Sequence, residues 1–493
     1  MSFVQIRHIS SQINRKTVSI VGSGPSGFYT AYHLLKKSPI PLNVTIWEKL
    51  PVPFGLSRYG VAPDHPEVKN CEETFTTCAE EFSSPTNQKH KFSFVGGITI
   101  GKEILLKELL DNQDAVILSY GCTGDRKLNI PGELGTKGVF SSREFVNWYN
   151  GHPDFAKDKR FTDFDWSKVS KVGIIGNGNV ALDITRVLIS NQIDEIWENT
   201  DISSLALNLL RRAPVKDVKL IARRDFVHSK FTNKELRELW ELEKYGIRGR
   251  IDPKFFQKEM FDPSKYDRAF NRRVEMCSEY LKPFNERSKK NYKKAPPPSS
   301  GYDKFWELDY LKTPLKINRD DFGAIKSLSL CNNRLNEDNS LQPLKDVNNI
   351  MTYKVDLLIT SLGYAGVPMP EFSKLSIGFD KDHIANKQGR VLTSSGEIFP
   401  HLYASGWIRK GSQGVIASTM QDAFEVGDRV IQDLVVSGAL SLENSIDLSN
   451  IKHTTWKDWE RINKKELLRG KKEHKTRSKF LTFEELWNGV EGI

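Results

Sequence analysis

Cysteine is scarce in this chain: five in 493 residues, at Cys71, Cys78, Cys122, Cys277 and Cys331. The odd count and wide spacing exclude a secreted disulfide framework. No CxxC pair and no Cys/His cluster is present, so neither a redox dithiol nor a metal site is expected. Cys71 and Cys78 are spaced to share a helix face, as two reduced thiols would. Long apolar runs are missing as well. No stretch approaches the ~20 residues a membrane span needs, so any membrane contact is peripheral. No zinc finger, helix-turn-helix or RNA-binding aromatic signature occurs, which argues against nucleic-acid binding. Acidic residues are absent from residues 1–16, which carry Arg7, His8, Arg15, Lys16 and several serines. That profile predicts a short mitochondrial targeting segment; a ragged N-terminus would read the same way.

What is present is a globular composition, 38% hydrophobic and 27% charged, long enough for two or three domains with real cores. The net charge of +10 suits an acidic partner or an anionic surface without choosing between them. Lys289 to Tyr302, with Pro296-Pro297-Pro298 inside it, reads as an exposed loop. Lys464 to Lys479 reads as a solvated basic helix.

The informative segments are two strand–glycine turn–helix units. Val18 to Val21 is an apolar strand, followed by Gly22-Ser23-Gly24-Pro25-Ser26-Gly27 and a helical stretch to Lys37. Gly22 permits the tight turn, Gly24 admits a pyrophosphate against the backbone, and Gly27 allows close helix–strand packing. The helix N-terminus offers unpaired N–H groups and partial positive charge. A second strand, Val44 to Trp47, ends at Glu48, which can accept bonds from a ribose hydroxyl. This is a dinucleotide site. Its place near the N-terminus suits a resident FAD, although spacing alone also permits NAD.

The unit then recurs. The strand Val172 to Ile175 leads into Gly176-Asn177-Gly178-Asn179-Val180-Ala181 and a helix from Leu182 to Ser190. The next strand, Val218 to Ala222, ends at Arg223-Arg224 where an NAD site would place an acid. A cationic pair there favours a 2′-phosphate and hence NADPH; a solvated basic turn is the alternative. The interval from Gly176 to Arg223 is longer than the usual ~20 residues, which an insertion over Asn191 to Pro214 would explain. Two such units predict an α/β protein with two Rossmann-like dinucleotide-binding domains.

Five stretches narrow the reading: GSGPSGFYTAYHLL from Gly22, PFGLSRYGVAPDHPEVKN from Pro53, NGNVALD from Asn177, FTNKELRE from Phe231 and SGWIRKGSQGVIASTM from Ser405. On these the chain resembles the adrenodoxin reductase type of ferredoxin–NADP reductase, the mitochondrial kind. The resemblance spans Thr17 to about Leu440. It implies a discontinuous FAD domain, 17–124 and 362–450, with an NADPH domain, 125–361, inserted between; 451–493 is left as a basic C-terminal extension. It implies that Ser26, Glu48, Leu56, Ile100, Trp407, Gly414, Val415 and Ile416, with the Gly22–Gly27 turn and its Pro25, contact FAD. Asn177, Gly178, Asn179, Val180, Arg223, Arg224, Glu235 and Gly414 would contact NADPH. Trp407 follows a late glycine, as in this family; a buried core tryptophan is the bland alternative. The family often has Gln where Asn177 stands.

The activity implied is hydride transfer from NADPH to FAD, then single-electron release to an acidic [2Fe–2S] ferredoxin, with no protein nucleophile. Asp64, His65 and Asp183 lie in the matched stretches and are candidates for shaping proton movement, or simply for turn and capping chemistry. Arg268, Arg272 and Arg273 form a cluster that would meet an acidic ferredoxin, or else a solvated helix face. A mitochondrial place is implied, in the matrix or peripheral on the inner membrane. A thioredoxin-reductase-like enzyme would need the missing dithiol. An electron-input subunit of a larger flavin enzyme, with another acceptor, would usually bring cysteine clusters.

Overall fold

The computed structural model describes residues 14–294, 296–412, 414, 416–437 and 446–491. The expected targeting segment falls outside them up to residue 13, as does Val415. Two largely parallel sheets organise these residues.

The first sheet has seven strands in the order Asn386–Lys387, Arg390–Leu392, Ile398–Ala404, Ala115–Leu118, Lys16–Val21, Leu42–Glu48, Lys91–Gly96. The last five pair in parallel. Val18 to Val21 and Ala115 to Leu118 are buried throughout, as strands covered on both faces must be. The helix Pro25–Lys37 follows the first strand. Proline at its first turn is pre-set for helical φ, and Phe28, Ala31, Leu34 and Leu35 bury one side. Lys36 and Lys37 occupy its last turn, where they complement the helix dipole. The helix packs against Ile416–Ser437, so chain from both ends builds one lobe.

The second sheet has six parallel strands: Val139–Ser141, Leu357–Thr360, Lys171–Ile175, Asp217–Ile221, Lys304–Asp309, Ile247–Ile251. The segment 191–214, expected as an insertion, holds the helices Asp194–Trp197 and Ser204–Leu210. Trp197 is buried there and its indole N–H donates to Ser190 O at 2.9 Å. A four-stranded antiparallel sheet over 312–354 flanks this lobe.

Two segments differ from expectation. The C-terminal extension is not a solvated tail. Its helix Trp456–Lys472 buries Trp456, Trp459, Ile462 and Glu466, and Trp456 meets Phe28, Phe54, Phe92 and Phe94 edge-on. The lysines lie on the opposite face, so their number conceals an apolar stripe at helical spacing. The loop 289–302 does keep its lysines exposed, but its flanks are tied inward. Arg287 donates to Glu243 at 2.8 Å, and Tyr302 bonds the same carboxylate.

Candidate functional site

Each glycine turn lies at the carboxyl end of its sheet, at the topological switch where such folds hold ligands. In the first, Gly22 has φ +106, and a side chain there would strike the backbone of Ser119 at 2.7 Å. Gly27 sits so close to the first strand that a Cβ would lie 2.0 Å from Gly22 O. Gly24 differs: a Cβ there would meet nothing within 4 Å. The backbone is therefore bare where a pyrophosphate would approach. Gly55 backs the turn from the other side, its would-be Cβ 2.9 Å from Gly24 Cα. Phe54 N donates to Ser23 O at 3.0 Å. The PFGLSRYG stretch thus forms a wall of the site.

That site is a cleft of about 470 Å³, within the ordinary range for small-molecule sites. Gly22, Gly24, Pro25, Ser26, Glu48, Leu56, Ile100, Trp407 and Ile416 line it. Glu48 is almost buried; it accepts from Ser23 N–H at 3.0 Å, Ser23 Oγ at 2.7 Å and Leu50 N–H at 3.0 Å. Oε1, holding one of these bonds, keeps a lone pair for a ligand hydroxyl. Trp407 is only half-buried and meets Tyr364 edge-on at 5.6 Å, so it is not an ordinary core tryptophan. Gly406 before it has φ +74, and its N–H is held by buried Asp422 at 2.7 Å. Gly414, in the turn that follows, has φ +85. Arg143, Asn147, His152 and Phe155 of the second lobe also line the cleft, and sequence reasoning missed them. Nothing local marks them, since they reach the site only through the packing of the lobes.

In the second turn a Cβ at Gly178 would again meet open space, whereas one at Gly176 would strike Ser361 O at 2.1 Å. Asn179 Oδ1 accepts from Thr232 N–H at 2.8 Å, and Asn177 Nδ2 donates to Ser229 Oγ at 3.2 Å. Val180 packs on the lobe's core. Arg223 is exposed, its carbonyl held by Asn333 Nδ2 at 2.8 Å. Arg224 Nε is buried and has no hydrogen-bond partner among the described residues. An orphaned guanidinium N–H beside an open glycine turn fits an anionic ligand group.

Asp64, His65 and Asp183 come together between the lobes, around a residue the sequence did not single out. Arg186, buried, donates to Asp64 Oδ2 at 2.5 Å and Asp183 Oδ1 at 2.9 Å, and its Nη2 lies 3.1 Å from His65 Nε2. Glu238 holds His65 Nε2 at 2.6 Å, while Glu235 lies 3.8 Å from His65 and 3.6 Å from Arg186. Burial opposes ionisation of Asp64, but Arg186 outweighs it and holds the carboxyl below its usual range. Burial likewise opposes charge on His65, and the bond to Glu238 outweighs it, raising the pKa. Glu235 is pushed up to about 7, by burial first and Asp183 next. Asp64, His65 and Asp183 thus share one buried charged group rather than separate turns. Arg186 stands three residues past Asp183 in the apolar run LDITRVLI, the one signal that could have found it.

The arginine cluster divides. Arg268 and Arg272 are exposed one helical turn apart. Arg273 is turned inward: it donates to Ser229 O at 3.1 Å, Phe231 O at 2.9 Å and Asn233 Oδ1 at 3.2 Å. The reason is helical geometry, since residue i+5 from Arg268 lies well off the i, i+4 face. Its guanidinium is engaged within the chain, which leaves Arg268 and Arg272 as the exposed pair of the cluster.

Residues 20–95 match the NAD(P)-binding Rossmann-like domain family. A human protein named NADPH:adrenodoxin oxidoreductase, mitochondrial, is 35% identical, covering 97% of this chain and 93% of its own. The Drosophila melanogaster protein of that name is 33% identical over 98% and 96%. The solved structure of Mycobacterium tuberculosis FprA in complex with NADPH is 30% identical, with a TM-score of 0.80 over 97% of this chain and 100% of that one. These matches run over almost the whole length, and the chain belongs to the NADPH:adrenodoxin oxidoreductase family.

Proposed function

We propose that this chain is an FAD-dependent mitochondrial reductase that oxidises NADPH and delivers electrons singly to an adrenodoxin-like [2Fe–2S] ferredoxin. The observation that carries this reading is the pair of bare glycine turns, open at Gly24 and Gly178 where every neighbouring turn glycine is crowded or strained. FAD, when bound, supplies a ring that accepts a hydride and returns its two electrons one at a time. The chain's own residues bind, orient and exclude water. The lobe built from 17–124 and 362–450 is assigned to FAD, together with the packed helix Trp456–Lys472. The lobe from 125–361 is assigned to NADPH.

In the first lobe the N–H groups at the start of the Pro25–Lys37 helix would hold the pyrophosphate, and Glu48 would take a ribose hydroxyl. Leu56, Ile100, Trp407 and Ile416, which line the cleft, would wall off the ring and keep water out. In the second lobe Asn177, Gly178, Asn179 and Val180 cradle the NADPH phosphates, and Arg223 and Arg224 take the 2′-phosphate. Glu235 and Gly414 are assigned to the same nucleotide. Burial sets the raised proton affinity of Glu235, Asp183 adds to it, and His65 and Arg186 oppose it. Arg268 and Arg272 form the outer face for an acidic ferredoxin. The place of action is the mitochondrial matrix, with peripheral inner-membrane contact open to a chain of net charge +10. No helix among the described residues is long and apolar enough to cross a membrane.

The test is cofactor choice. Replacing Arg223 and Arg224 together with alanine should raise the KM for NADPH and barely move that for NADH, each lost charged bond costing about 1.5–3 kcal/mol. Equal use of both nucleotides by the unaltered protein would overturn the assignment.

A further inference from the structure

The segment Ser229–Asn233 crosses the second glycine turn and touches it at three points. Asn177 Nδ2 donates to Ser229 Oγ at 3.2 Å, Lys230 N–H to Asn177 O at 3.3 Å, and Thr232 N–H to Asn179 Oδ1 at 2.8 Å. The same segment opens the helix Asn233–Glu241, whose Glu235 and Glu238 reach the charged cluster. It is not itself a helix or strand along Ser229–Thr232, so something other than regular backbone pairing must fix it.

From the side away from the turn, one side chain makes most of the contacts that fix it. Arg273, from the helix Arg268–Leu281, spends all three kinds of guanidinium nitrogen on this segment: Nη1 on Ser229 O, Nη2 on Phe231 O and Nε on Asn233 Oδ1. Its plane also lies over the Phe231 ring at 5.0 Å. Among the described residues no carboxylate stands within ion-pair distance of it, so its charge is directed wholly at backbone and amide oxygens. Ser229 Oγ is braced in addition by Tyr310 OH at 3.0 Å, a buried tyrosine. A planar fork donating to three acceptors along five residues fixes both position and orientation.

We propose that Arg273 is a positioning residue for the nucleotide turn: it clamps Ser229–Asn233 against Asn177 and Asn179 and so sets nucleotide affinity, without touching ferredoxin. This rests on the reading of the second turn as the NADPH site. The clamp acts on the segment bonded to Asn177 and Asn179 and not on the Arg223–Arg224 pair. Its effect is therefore felt by NADPH and NADH alike.

The experiment uses the flavin-loaded, full-length protein with Arg273→Met, Arg273→Lys and Ser229→Ala, assayed with a neutral dye acceptor. Arg273→Met should raise the KM for both nucleotides roughly tenfold or more, with kcat at saturating nucleotide changed less than about twofold. Arg273→Lys should lie between, because an ammonium reaches only part of the fork. Ser229→Ala, which removes only the Oγ contacts, should raise both KM values in the same ratio but less. The salt dependence of ferredoxin reduction should not move. If Arg273→Met keeps its KM for both nucleotides, or loses ferredoxin reduction alone, the clamp is wrong. Should Arg273→Met fail to fold, Arg273→Lys and Ser229→Ala carry the same test, and unchanged KM values in both overturn it. The Arg223→Ala, Arg224→Ala protein separates the two levels. If it leaves the KM for NADPH unchanged, the site itself is misread; if it responds and Arg273 does not, only the clamp fails.

Discussion

Replacing Glu466 with glutamine removes one charge from the most deeply buried ionic group of the C-terminal helix. Glu466 has no exposed surface. Its carboxylate accepts from Arg58 Nη2 at 2.6 Å, Arg477 Nη1 at 3.0 Å and Phe480 N–H at 2.8 Å. Arg58 is buried too, stacked between Tyr59 at 5.0 Å and Trp459 at 5.2 Å. Burial works to raise the Glu466 pKa, and Arg58 outweighs it, so the pair is ionised in the folded chain. Glutamine keeps the shape and one acceptor but strands the Arg58 cation in the interior. Breaking a buried pair in this way costs about 3–5 kcal/mol, two to three and a half powers of ten in the folding constant at about 1.4 kcal/mol each. Because Leu56 and Tyr59 line the cleft proposed for FAD, flavin retention should fall with stability. Urea unfolding of the flavin-loaded protein, followed by tryptophan and flavin fluorescence, measures both. Lys471→Gln and Lys472→Gln, on the exposed face of the same helix, should stay within about 0.5 kcal/mol of the parent. A Glu466→Gln midpoint equal to theirs would refute the packed C-terminal helix.

Gly24→Val places a side chain in the bare stretch of the first turn, and the protein should purify with less FAD; full flavination, read from the absorbance spectrum, would remove the turn from the FAD site. Glu235→Gln tests the charged cluster through pH. The Glu235 pKa is raised to about 7 in the folded chain from an ordinary value near 4.5, so between those values the folded state binds more protons and stability falls as pH rises. The glutamine variant loses that slope, and unfolding curves at pH 5 and pH 8 should show it gaining on the parent at the higher pH. Reversing Arg268 and Arg272 to glutamate should weaken ferredoxin reduction at low salt and leave dye reduction intact. Such steering is screened over about 10 Å at 0.1 M salt, so high salt should erase the difference between parent and variant in stopped-flow rates.

The parts of the fold legible from sequence are those fixed by local backbone demands. Gly22, Gly27 and Gly176 are required because a Cβ would collide within 3 Å, and such demands leave a sequence signature whatever the rest of the chain does. The interlobe cluster left none. Arg186 meets Asp64, 122 residues away, and only tertiary packing joins them. Arg273 parts from Arg272 for the converse reason: a run of basic residues looks like one patch, but consecutive helical residues point about 100° apart. The C-terminal helix was obscured by composition, since lysines outnumber the few positions, Trp456, Trp459 and Ile462, that bury it. The antiparallel sheet over 312–354 escaped notice because its strands alternate weakly and carry no turn motif strong enough to announce them.

The central claim is that electrons pass from NADPH through a flavin in this chain to a one-electron iron–sulfur acceptor. Anaerobic titration of the purified protein with NADPH, followed by addition of an oxidised acidic [2Fe–2S] ferredoxin, tests it directly. The flavin band should bleach with about one equivalent of NADPH and recover as the ferredoxin is reduced, two ferredoxins per NADPH, because a hydride carries two electrons. A flavin band that bleaches but never passes its electrons to any [2Fe–2S] ferredoxin would contradict the account.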